Sequence, residues 1–146
     1  MKVETTRFGT LTIADEEQIV FADGLCGFED CTGWVLLADG HNDAVAWLQS
    51  TERPEVALAL VSPRNFAPDY RLRTPKKELA PLDIEPSDQV FVLAIVARNA
   101  GRLTLNLKAP VVINLDRRLG RQVLASDDQP LQYEMAKQAS RLRKSA

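Results

Sequence analysis

His41 is the one histidine of the chain, and imidazole is the side chain most often used as a general acid or base near neutral pH. It stands in ADGHNDA, where Asp39, Gly40, Asn42 and Asp43 mark a turn, so a solvated turn histidine is the expected role. Cys26 and Cys31 fall in LCGFEDC without the two-residue spacing or the second ligand pair of a zinc site, and read as ordinary thiols. Gly24 and Gly27 lack the following Lys-Ser or Lys-Thr of a phosphate loop. Asp39, Asp43 and the pair Asp127-Asp128 sit in turn-like stretches, where carboxylates cap and shape backbone more often than they share a proton. No catalytic set, metal site or cofactor site emerges, which leaves binding. The competing reading is a small-ligand or enzymatic barrel whose end pocket gathers His41, Asp39, Trp47 and Tyr70.

The elements that must position these residues are short strands. Val3–Thr6, Leu11–Ala14, Ile19–Phe21, Trp34–Ala38, Val45–Gln49, Val56–Val61, Arg71–Arg73, Val90–Arg98, Leu103–Leu107, Val111–Leu115 and Gln122–Ala125 are separated mostly by Gly, Pro, Asn or Asp signals. Such spacing predicts an all-β, mainly antiparallel domain, either a sandwich or a small barrel, rather than a parallel sheet with crossover helices. Asn99-Ala100-Gly101 predicts a hairpin from Val90 to Leu107, and the continuous apolar run VFVLAIVA predicts a strand buried on both sides. Ser62–Pro86 holds Pro63, Pro68, Pro75, Pro81 and Pro86 and reads as a long irregular connection. A short C-terminal helix is expected after Asp127 or Asp128 as cap, with Leu131, Met135, Ala139 and Leu142 on one stripe. Residues 1–126 thus form the body of one domain, and 127–146 a helix with a basic tail.

With 146 residues, 45% hydrophobic and 26% charged, the chain suits one soluble core. The N-terminal MKVETTRFGT has no apolar run for a signal peptide and no window reaches membrane-spanning length, so a cytoplasmic setting is expected. Eighteen Lys+Arg against 20 Asp+Glu give a net charge of −2, and aromatics are only 6%, which disfavours direct nucleic-acid binding. Lys137, Arg141, Arg143 and Lys144 crowd the C-terminal end, opposite in sign to Asp15, Glu16 and Glu17.

The stretch LTLNLKAPVVINLDRRLGRQVLA places asparagines inside strand patterns that disfavour them. Leu103, Leu105 and Leu107 alternate with Thr104, Asn106 and Lys108; after an Ala109-Pro110 break, Val111, Ile113 and Leu115 alternate with Val112 and Asn114. Asn106, Lys108, Asn114 and Gln122 are candidate partner contacts, while Asn106 and Asn114 fit equally a role as amides stapling the bend. Trp47 and Gln49 share a strand face suited to an interface or to the core. Phe66 and Tyr70 are loop aromatics or lids over the barrel end, and Gly24, Gly27 and Gly33 serve backbone geometry.

DGLCGFED, VAWLQSTERPEVALALVSPRNFAPDY and LTLNLKAPVVINLDRRLGRQVL, with Tyr133 following, occur in one order from Phe8-Gly9 onward. Together they resemble the flagellar assembly factor FliW family. The resemblance implies a β-barrel-like fold, no catalytic activity and two protein partners: flagellin, and the translational regulator CsrA, a small dimeric RNA-binding protein. It implies a switch in which flagellin-bound chain leaves CsrA free to repress flagellin translation, and released chain sequesters CsrA. Cys26 stands where the family usually has proline, and the charged extension after Tyr133 has no counterpart in the family pattern.

Overall fold

Alternating apolar residues and frequent turn signals become ten strands, one short α-helical turn and three 3-10 turns in a computed structural model that describes residues 1–135. In chain order these are β1 (Lys2–Thr5), β2 (Gly9–Thr12), β3 (Ile19–Val20), β4 (Gly33–Ala38), β5 (Val45–Ser50), β6 (Ala57–Val61), α1 (Lys76–Leu79), β7 (Val90–Asn99), β8 (Arg102–Asn114), β9 (Leu119–Gln122) and β10 (Tyr133–Glu134). Strands β3 to β9 form a barrel-like sheet: antiparallel neighbours run from β3 through β8, β9 returns antiparallel to β8, and a single parallel pair, Val20 with Leu119, closes the ring. The all-β barrel-like class is therefore the observed one.

Ile19, Phe21, Leu25, Trp34, Leu48, Leu60, Val111 and Ile113 form the main core. Trp34 is enclosed, with Phe21 and Phe28 edge-on to its ring at centroid distances of 6.1 and 6.5 Å, and its indole N–H donates to the Cys31 carbonyl at 2.9 Å. That bond satisfies the one polar atom of the largest core side chain. Gly120 passes the Phe21 ring so closely that any Cβ there would collide with it.

Smaller cores lie around the barrel. The β1–β2 hairpin lays Val3 and Leu11, with the following Ile13, against Val35 and Leu37 of β4. The proline-rich segment folds onto the sheet instead of standing off it: Tyr70 and Leu72 pack with Val61, Leu105 and Leu107, and Leu82 packs with Val112 and Val123. Tyr70 is accordingly a core residue, whose buried hydroxyl donates to the Leu107 carbonyl at 2.8 Å.

Several boundaries differ from the sequence expectations. Ala109-Pro110 does not end a strand; β8 runs through it, and the pairing jumps from Leu93–Val111 to Ile95–Asn106, so extra β8 residues are taken up in a bend. Proline is tolerated there because an irregular ladder position needs no N–H. Arg71–Arg73 is irregular, and β9 occupies Leu119–Gln122, earlier than expected. Leu103 is 40% exposed at the hairpin end while Thr104 is buried, so the leucine face is not uniformly the inner one.

The strand β7 is only half-buried, with Ala94 alone fully enclosed. Its partner β6 meets it only at Leu60–Ile95 and Val61–Ala94 before Pro63–Asn65 turns the chain away. The helix expected from Asp127 begins no earlier than Met135: 127–132 are irregular and Tyr133–Glu134 pair with Leu105 and Thr104 as a strand. The remainder of that stripe, Ala139 and Leu142, lies outside the described residues, as does the basic tail.

Candidate functional site

The bend of β8 is held by side chains from three parts of the chain. Asn106 sits at its start, and its Oδ1 accepts the backbone N–H groups of Lys108 at 3.1 Å and Ala109 at 2.9 Å, an Asx-type staple that replaces the lost ladder bonds. Gln122 of β9 donates Nε2 to the Ala109 carbonyl at 3.0 Å and accepts the Cys26 N–H through Oε1 at 2.8 Å. One amide thus ties the glycine turn to the bend, and it uses an N–H that proline at position 26 would lack. Lys108 reaches back with Nζ to the Asp127 carbonyl at 2.6 Å. Asn106, Lys108 and Gln122 are half-buried and together, so the structure gathers three of the expected contact residues at one place.

Asn114 and Gln49 are not part of that surface. Asn114 is 0% exposed; its Nδ2 donates to the Leu82 carbonyl at 3.0 Å and to Asp88 Oδ2 at 2.9 Å, and its Oδ1 accepts the Arg117 N–H. Asp88 in turn accepts the Glu85 N–H at 2.9 Å, and this bond, the Asn114 amide and the Arg117 charge hold its carboxyl below the usual aspartate range. Gln49 is also 0% exposed, and its Nε2 donates to the Ser50 carbonyl at 2.9 Å and the Pro54 carbonyl at 3.3 Å, closing the turn between β5 and β6. Direct contact with a partner is the expectation that burial corrects for both. A strand pattern shows which face a polar residue shares, but not which face a neighbouring segment covers.

Trp47 is half-buried on a separate shelf. Its indole N–H donates to Asp39 Oδ1 at 2.9 Å, Phe8 lies edge-on at 5.9 Å, and the Arg7 guanidinium sits 4.2 Å from its ring centroid. Arg7 and Phe8 come from the β1–β2 turn, roughly forty residues away in sequence, and no local pattern announces the pairing. Asp39 also accepts the N–H groups of His41 at 3.0 Å and Asn42 at 2.9 Å. The Trp47 bond first, then the His41 N–H, keeps its carboxyl below the usual range.

His41 and Asp39 are therefore joined through backbone, as the sequence of the turn suggests, and His41 is exposed. Tyr70 lies elsewhere, lining open depressions of about 420 Å³ with Pro63, Arg64 and Leu72 and about 450 Å³ with Pro68, Pro130 and Tyr133. Burial, with the Asp127 charge, pushes its phenol up to about 12, away from any acid–base use near neutrality. The four residues of the competing pocket do not converge on one cavity. Cys26 is exposed and Cys31 buried, both as free thiols.

The fold has known counterparts. The FliW protein family model matches residues 2–135, nearly everything described. The chain belongs to the FliW family. The FliW-family chain is similar to the flagellar assembly factor FliW of Bdellovibrio bacteriovorus, 35% identical over 130 residues that cover 88% of this chain and 74% of that one. It is likewise similar to that of Ruminiclostridium cellulolyticum, 37% identical over 132 residues, with 88% and 89% covered. A crystal structure of the flagellar assembly factor FliW superposes with a TM-score of 0.85 at 27% identity, covering 92% of this chain and 96% of that one.

Proposed function

We propose that this chain is a non-enzymatic, cytoplasmic flagellar assembly factor that binds flagellin and, when flagellin is scarce, sequesters CsrA and so relieves repression of flagellin translation. The match to the FliW family over residues 2–135 carries this reading. A switch of this kind needs no reaction, only two partners whose binding is exclusive or coupled, each with its own differential affinity. Among the described residues no helix is long and apolar enough to cross a membrane.

Within that function, Lys108 and Trp47 are the contact residues, and Asn106 and Gln122 shape the bend that presents Lys108. Association of an acidic chain beside the basic surface of an RNA-binding protein raises the electrostatic cost for RNA, because phosphate contacts supply much of RNA affinity. Inhibition of CsrA–RNA binding therefore weakens as salt rises; inhibition that ignores salt would remove the electrostatic part of the proposal.

Gel filtration of the purified chain with CsrA, and separately with the C-terminal part of flagellin, tests the whole reading. A co-eluting complex in each mixture is expected. Separate elution in both would overturn it.

A further inference from the structure

The first half of β7 is an open sheet edge. Val90–Leu93 pair with Asn114–Val111 of β8 on one side, but β6 leaves β7 after Val61–Ala94, so among the described residues no strand covers their other side. The departure is written in the sequence: Pro63 has no N–H to continue a ladder, and Pro63–Asn65 form a 3-10 turn that carries the chain off. All of Val90–Leu93 remain only half-buried although every one is apolar. Natural edges are commonly blunted by lysine, proline or an inward charge, and VFVL carries none of these.

This edge runs through a depression of about 460 Å³ floored by Val45, Ala46, Leu60 and Val61. Ser62 and Val92 are shared with the adjoining depression of about 420 Å³, which Arg64 and Arg71 border, so the apolar floor passes into a cationic end. From Arg64 to Lys77 five cations (Arg64, Arg71, Arg73, Lys76 and Lys77) stand against one carboxylate, Asp69, in a chain whose net charge is −2. The ion pairs among the described residues all use other cations. The Arg64 Nε is engaged only with the Tyr70 carbonyl, at 3.1 Å. Asp43 is the one carboxylate lining the apolar depression.

We infer that the β7 edge is a strand-addition site for an extended, apolar segment of a partner protein that carries carboxylates at one end. Main-chain hydrogen bonds to Val90–Leu93 supply affinity, alternate side chains enter the apolar floor, and Arg64 and Arg71 fix the direction by taking the acidic end. The apolar floor favours such a peptide over RNA, which would seek stacking aromatics beside the cations. The site stands whether or not flagellin or CsrA supplies the segment, since it is read from pairing and charge alone.

A random peptide library selected on the full chain tests this, with the doubly substituted R64E/R71E chain as counter-selection. Both arginines are exposed, and the one bond lost is that of Arg64 to the Tyr70 carbonyl, so the variant is expected to stay folded and to unfold no more than a few degrees below the parent, which a thermal melt checks first. The selected peptides should alternate apolar residues and end in Asp or Glu, and R64E/R71E should bind them about tenfold or more weakly. Backbone amide exchange at Val90–Leu93 should slow about tenfold or more on peptide binding.

No enriched peptide, a basic consensus, equal binding by R64E/R71E, or unchanged exchange at Val90–Leu93 would each overturn the site. Tighter binding of oligouridylate at the same arginines would assign it to RNA. Exchange already slow in the free chain, and released by removing residues 136–146 or by dilution, would give the edge to the chain's own C-terminus or to a second copy. Failure to bind flagellin and CsrA, with these peptide results intact, would strike the proposed function and leave the edge site standing.

Discussion

Asn114 shows how one amide can carry more structure than its place in a strand suggests. Its bonds to Leu82, Asp88 and Arg117 join β8 to the end of the proline-rich segment. Asn114→Ala leaves the buried Leu82 carbonyl unpaired and should lower unfolding free energy by about 2–3 kcal/mol in a denaturant titration, with partner binding by the folded fraction preserved. Gln122→Ala cuts the link between Cys26 and Ala109 and should lower it by about 1–2 kcal/mol, since both backbone groups regain some water. Asp88 makes the same network pH-dependent. A carboxyl whose folded pKa is depressed contributes stability above its unfolded pKa, near 3.9, and loses it as pH falls through the lower folded value. Asp88→Asn should therefore flatten the loss of stability below about pH 4. Of the candidate contacts, Asn106 reads from its neighbouring Ala109-Pro110 equally as a contact or as a staple, and its bonds to the Lys108 and Ala109 N–H groups make it a staple. For Asn114 and Gln49 the covering segments come from elsewhere in the chain, which a strand pattern does not encode.

At the scale of elements, the strands were legible because a half-buried strand writes its burial as alternation of period two. What the alternation does not record is continuity or edge position. Pro110 looks like a stop, yet β8 continues because a bulge has a place for a residue without an N–H. VFVLAIVA looks central on both sides, yet half of it faces an open edge, since pairing on each side depends on where β6 departs. The Asn99–Arg102 hairpin turn holds a different strain: Ala100 has φ +52° and Gly101 φ +77°, the left-handed pair of a tight two-residue turn. Only Gly101 adopts this without steric cost, so Ala100→Gly should raise the melting temperature, by about 1 kcal/mol of stability. At Gly120 the direction reverses: Gly120→Ala drives a methyl into the Phe21 ring at the centre of the core and should destabilise by roughly 1–3 kcal/mol, read by thermal unfolding.

For the whole molecule, the barrel interior is filled by Trp34, Phe21 and aliphatic side chains, so the partner binding proposed for it belongs on the outer surface. The Trp47 shelf, the Lys108 bend and the β7 edge are separately built surfaces, each assembled from residues distant in sequence. Such a barrel can couple two partners by overlap or by direct electrostatic conflict without changing its fold. Composition and motif order made the family legible, while the surfaces were not, because their pairs meet only after the barrel closes. The most direct measurement is a titration of CsrA into the purified chain with and without a saturating C-terminal segment of flagellin, followed by gel filtration. A complex with CsrA is expected in the absence of flagellin, and its displacement when flagellin is present. CsrA retained equally in both conditions, or bound in neither, would contradict it.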